Sequence, residues 1–136
     1  MASSPEFVKY PVIGFAELTT ANTSRDGTGA IADLVTGVAG GTRIIEIRAK
    51  ATGTISSGCL INIFWWTGTG WRLFDDLALS QRTPSNAATS ASSIATYRNL
   101  LIPKPANKLG VSITVTPASG SVNVFALGGD LVSERV

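Results

Sequence analysis

The chain has 136 residues, a length that supports one domain built on one hydrophobic core. Apolar residues make up 44% and charged residues only 15%, which excludes a disordered chain, a coiled coil and a solvated helical bundle. Eleven Lys and Arg against nine Asp and Glu leave a net charge of +2, and Arg43, Arg48, Lys50, Arg72, Arg82 and Arg98 are scattered singly, so no nucleic-acid footprint is expected.

In chain order, the first residues lack the basic region and apolar stretch of a leader, and nowhere do roughly eighteen apolar residues run together. Neither secretion nor membrane insertion is expected, and no membrane partner. Phe7 to Leu18 is the first strand candidate, and its front part, Phe7-Val8-Lys9-Tyr10-Pro11-Val12-Ile13, reads as an extended arm able to add to an exposed sheet edge. The expected organisation is therefore an N-terminal arm or first strand over residues 1–18, followed by a β-sandwich over 19–136. Asn22 to Gly29 is rich in turn formers and reads as a loop, sequon Asn22-Thr23-Ser24 included. Ala30 to Val38 is a weaker strand candidate. The Gly-rich runs at Gly27-Thr28-Gly29 and Gly37 to Thr42 lack the Lys-Ser/Thr ending or following helix of a phosphate cradle, and read as turns.

From Arg43 to Ala51 the period is two, with Ile45, Ile47, Ala49 and Ala51 on one side, Glu46, Arg48 and Lys50 on the other, and Ile44 out of phase. Cys59 to Trp66 is apolar on one side and mostly so on the other, as in a strand covered on both faces or lying at an interface. Thr67-Gly68-Thr69-Gly70 predicts a hairpin turn into Trp71 to Leu79, where Asp75 interrupts the alternation. Ser80 to Ser93 has no periodic face and reads as a long loop; Ile94 to Ile102 resumes a strand that Pro103-Lys104-Pro105 closes. Leu109, Val111, Ile113 and Val115 alternate with small or polar residues, Pro117 to Gly120 turns the chain, and Val122, Val124 and Ala126 alternate back, so a second hairpin is expected. About eight short strands and no helical stripe predict an all-β fold, an antiparallel sandwich or barrel, of which the sandwich is the expectation carried forward.

The chain has no histidine, which removes the usual general base, the commonest metal ligand and every His-dependent nucleophile. The single cysteine, Cys59, cannot complete a tetrahedral metal shell or an internal disulfide and reads as a buried small hydrophobe. Adjacent Asp75 and Asp76 point to opposite faces of a strand and cannot share a proton. No catalytic residue, metal site or cofactor is expected. The candidates for contact are instead aromatic. Trp65, Trp66 and Trp71 flank the Thr67–Gly70 turn, and indoles there would anchor a protein partner or stack on a surface glycan. A mean hydropathy of +0.26 with so little charge would leave apolar patches wet on a monomer, so self-association is expected.

From Thr20 to Asp130 the sequence resembles small β-rich virion proteins of tailed bacteriophages. The residues that carry the likeness are Asn22 to Gly29, Arg43 to Thr54, Gly58, Phe64, Trp71-Arg72-Leu73-Phe74 and Gly128-Gly129-Asp130. The resemblance implies a jelly-roll-like particle component, a trimeric decoration or cement protein. It would be made in the host cytoplasm, sit on the capsid surface and bind the major capsid protein. Under that reading Phe7, Val8, Tyr10 and Val12 belong to the coat-docking arm, with Trp65, Trp66 and Trp71 as further contact residues. The alternatives are a carbohydrate- or receptor-binding sandwich and a neck or tail component.

Overall fold

A computed structural model describes residues 10–131. Eight strands form two four-stranded sheets: β1 (Tyr10–Leu18), β2 (Ala32–Thr36), β3 (Thr42–Ala51), β4 (Cys59–Trp66), β5 (Trp71–Leu79), β6 (Ser92–Ile102), β7 (Lys108–Ile113) and β8 (Val122–Asp130). Sheet A has the order β1-β8-β3-β6 and sheet B the order β2-β7-β4-β5, with every paired strand antiparallel. This is the expected all-β antiparallel sandwich, one of the two architectures the strand spacing allows, and its strand order is that of a jelly roll. Among the described residues there is no helix, and so none long and apolar enough to cross a membrane.

The core lies between the sheets. Ile44, Ile47, Ala49, Val122, Val124 and Ala126 from sheet A meet Ile61, Ile63, Leu77, Leu109, Val111 and Ile113 from sheet B. Each large aliphatic side chain buried there contributes about 1.5–3 kcal/mol. Cys59 lies at the edge of this core, where burial pushes its thiol up, as suits a packing residue.

Only the β4–β5 connection stays within one sheet. Trp66 pairs with Trp71 and the Thr67 amide donates to the Gly70 carbonyl at 3.0 Å, with Gly68 at φ 105°, giving the predicted hairpin. The second expected hairpin is not formed. β7 pairs with β4 and β2, while β8 lies in the opposite sheet between β1 and β3, so residues 114–121 arch from sheet B to sheet A. Alternation reports which face of a strand is buried, not which strand lies beside it, and an arch between sheets shows the same apolar period as a hairpin.

A second departure concerns β3. Both its ladders slip between Ile44 and Glu46: opposite β8, which steps from Gly128 to Leu127, Ile45 is the extra residue of a bulge, while β6 steps from Leu100 to Thr96 and carries its own surplus there. Ile44 is fully buried, whereas Ile45 is 47% exposed, the reverse of the phase read from the sequence. β5 carries a similar slip that leaves Phe74 unpaired beside Asp75, accounting for the interrupted alternation there.

Residues 23–31 fold over the outer side of sheet B. Asn22 anchors this strap: its amide donates to the Ile113 carbonyl at 2.7 Å, its side-chain Nδ2 donates to Thr28 and Ala30 carbonyls, and its Oδ1 accepts the Ser24 amide. Gly27 and Gly29 adopt φ of 92° and 81°, and a Cβ at either would strike the Trp71 carbonyl or the Asn22 side chain. Phe64, outside the core cluster and with no exposed surface, is buried beneath the strap. β4 is thus covered on both faces, by sheet A within and by a loop without.

Candidate interaction surfaces

The in-register ladders of sheet A set four rows of side chains on its outer face. Phe15, Phe125, Arg48 and Ile94 form one row; Ile13, Leu127, Glu46 and Thr96 form the next. Pro11, Gly129, Arg43 and Leu101 lie on one side of these rows, and the polar Glu17, Asn123, Lys50 and Ser92 on the other. No other element among the described residues covers this face. Ile13 is 69% exposed, Phe15 50% and Ile94 51%, and the rings of Phe15 and Phe125 pack with centroids 5.1 Å apart. Bulged Ile45 joins the patch. At its centre the Arg48 guanidinium meets the Glu46 carboxylate at 2.8 Å, and at its border Arg43 donates to the Arg98 carbonyl at 2.9 Å and keeps its charge. The exposed ion pair adds only about 0.2–1 kcal/mol to stability; its effect is to leave a broad surface with little net charge.

A smaller aromatic cluster closes one end of sheet B. Trp66 and Trp71 meet edge to face with centroids 5.1 Å apart, and the Lys108 ammonium lies 5.4 Å from each ring centre. Asp33 holds that ammonium at 3.1 Å. Trp71 also lies across Gly110, where a Cβ would contact its six-membered ring. Trp65 points the other way and packs against the core. At the opposite side of the sandwich the Tyr97 hydroxyl donates to Asp75 at 2.8 Å and ties β6 to β5. Burial, reinforced by that carboxylate, pushes the Tyr97 phenol well above its ordinary range.

The contact residues expected from the sequence therefore separate. Phe7 and Val8 lie outside the described residues. Tyr10 is exposed, Val12 turns toward the core, and both belong to β1, whose residues 10–13 pair with 127–130 of β8. Only Trp66 and Trp71 come together. The sequence reading passed over Phe15, Ile45, Ile94, Phe125 and Leu127, which share the outer face of sheet A with Ile13, a residue it placed in the arm. A trace of it was present in β1, where Ile13 and Phe15 stand out of phase with Val12, Ala16 and Leu18, making that strand apolar on both sides.

A shallow depression of about 590 Å³ lies among Arg25, Leu60, Ala78 and Thr114. Among the described residues no three His, Cys, Asp or Glu side chains gather as metal ligands.

No protein-family model matches the chain, and no curated protein matches it. Among solved structures it is similar to a chain of the acidic stable capsid structure of Helicobacter pylori bacteriophage KHP30, with a TM-score of 0.59 and 12% identity over 95% of this chain and 94% of that one. At that identity the likeness is one of fold.

Proposed function

We propose that this chain is a structural protein of a bacteriophage virion, a decoration or cement protein that assembles as a homotrimer on the capsid surface and binds the major capsid protein. The observation that carries this reading is the apolar outer face of sheet A, left open among the described residues, which gives a protein with few charges a reason to live inside an assembly. The jelly-roll likeness to a chain of a phage capsid supports the virion setting. The role requires no catalysis. A protein that binds only the assembled shell stabilises it by mass action, by about 4 kcal/mol at a thousandfold excess over Kd. In this reading the coat is met by the N-terminal segment, residues 1–9 with Phe7 and Val8, leading into Tyr10 at the start of β1.

The test is occupancy on phage heads that lack the protein. Added protein saturates the head and raises the temperature at which it disrupts, while a chain lacking residues 1–9 keeps its fold and leaves the head bare. Full occupancy by the shortened chain removes the docking role of that segment. Label found at the neck or tail by electron microscopy replaces the decoration reading with a tail component. A second reading, carbohydrate binding, is favoured by the half-buried Trp66–Trp71 pair beside the exposed Asp33 carboxylate. It predicts a change in tryptophan fluorescence with host-envelope polysaccharide, and a flat titration across a glycan panel removes it.

A further inference from the structure

We infer that the outer face of sheet A is the contact between copies of this chain, with the β1 edge as its border. The inference rests on the self-associating role proposed above and assigns the surface that performs it.

The first argument is area. At the roughly 150–250 Å² a large apolar side chain can bury, the open fractions of Ile13, Phe15, Ile45, Ile94 and Leu101, with smaller shares from Phe125 and Leu127, leave on the order of 500 Å² of contiguous apolar surface. A standard interface covers about 800 Å² on each partner, a little over half of it apolar, so the patch is of the size one such contact needs.

Charge points to the same occupant. Arg48 and Glu46 neutralise each other in the middle of the face, so the two central rows require no counter-charge from whatever covers them. A second copy brings the same neutral, apolar central rows, while Arg43, Glu17 and Lys50 stand in the flanking rows, where a polar rim keeps contact with water.

The sheet edges give an independent observation. β2 slips between Asp33 and Val35, β5 at Phe74, and β6 opposite the Ile44–Glu46 step of β3, irregularities that discourage addition of a further strand. β1 alone among the edge strands pairs without a break, from Tyr10↔Asp130 to Leu18↔Val122. The regular edge is the one that borders the open face and carries its most exposed residue, Ile13, together with Phe15.

The test substitutes Phe15→Asp and, on the far strand, Ile94→Thr, which keeps a β-branched side chain. Sedimentation equilibrium at micromolar concentration is read beside occupancy on heads lacking the protein. The wild-type chain is expected as an oligomer, Phe15→Asp as a 14.1 kDa monomer, and Ile94→Thr as an oligomer with a dissociation constant raised several-fold. Arg72→Glu, on sheet B, leaves the mass unchanged. If Phe15→Asp fails to fold, Ile94→Thr decides by itself, and an unchanged dissociation constant there overturns the inference. An intact oligomer in both variants with lost head occupancy assigns the face to the coat protein, which overturns the inference and leaves the virion reading standing. A monomeric wild-type chain that still decorates heads does the same; one that does neither overturns both.

Discussion

Ile44 and Ile45 are chemically identical neighbours, and the bulge in β3 gives them opposite environments, which permits a controlled comparison. Ile44 has no exposed surface and packs within the core cluster, whereas Ile45 is 47% exposed. Truncating a buried Ile to Ala removes its transfer free energy and leaves a cavity, together about 2–5 kcal/mol. Ile44→Ala is expected near the middle of that range, about 3 kcal/mol. With an m value of about 2 kcal/mol/M, that lowers the urea midpoint by about 1.5 M. Ile45→Ala loses only part of a transfer term and leaves no cavity, so its cost is about 1 kcal/mol or less, a shift of at most about 0.5 M. Ile45 lies on the face assigned to self-association, so its shift should grow with protein concentration, while that of Ile44 should not. Equilibrium urea unfolding followed by tryptophan fluorescence at two protein concentrations measures both effects. Equal midpoints, or a larger loss at Ile45, would refute the bulge and restore the uninterrupted alternation read from the sequence.

Two further outcomes concern buried polar groups. The Tyr97 phenol is pushed up in the folded state by burial and Asp75, so folding favours its protonated form. That contribution is present below the ordinary phenol pKa of about 10 and is lost as pH rises beyond it, by linkage. Tyr97→Phe should therefore cost about 1 kcal/mol at pH 8 and flatten the fall in urea midpoint above pH 10; an alkaline limb identical to wild type counts against the Tyr97–Asp75 link. Beneath the strap, Asn62 and Ser112 are register partners whose buried side-chain polar atoms have no hydrogen-bond partner. Replacing both, as Asn62→Leu with Ser112→Ala, should leave the urea midpoint unchanged or raised, since two desolvated polar groups are removed together. A loss above about 2 kcal/mol would mean that ordered water satisfies them.

Much of the sandwich is legible in one dimension. The all-β class, the Thr67–Gly70 hairpin and the burial of Cys59 each follow from local rules: a period of two, glycines able to take positive φ, and an apolar run too short for a helix of ordinary length. The absence of histidine likewise removes whole classes of chemistry before any fold is known.

What the residue order left open is pairing. The repeat around Pro117–Gly120 suits a hairpin and an arch equally, and only the competition of β7 and β8 for partners in two sheets sends them apart. Likewise Ile44 and Ile45 exchange roles because β3 bulges opposite the Gly128–Leu127 step of β8, a partner no local window contains. The open face is collective in the same way. Ile13, Phe15, Ile45 and Ile94 are far apart in the chain and become one surface only when β1, β8, β3 and β6 are laid side by side. Alternation decides which side chains a strand hides; the sheet decides which exposed ones become neighbours.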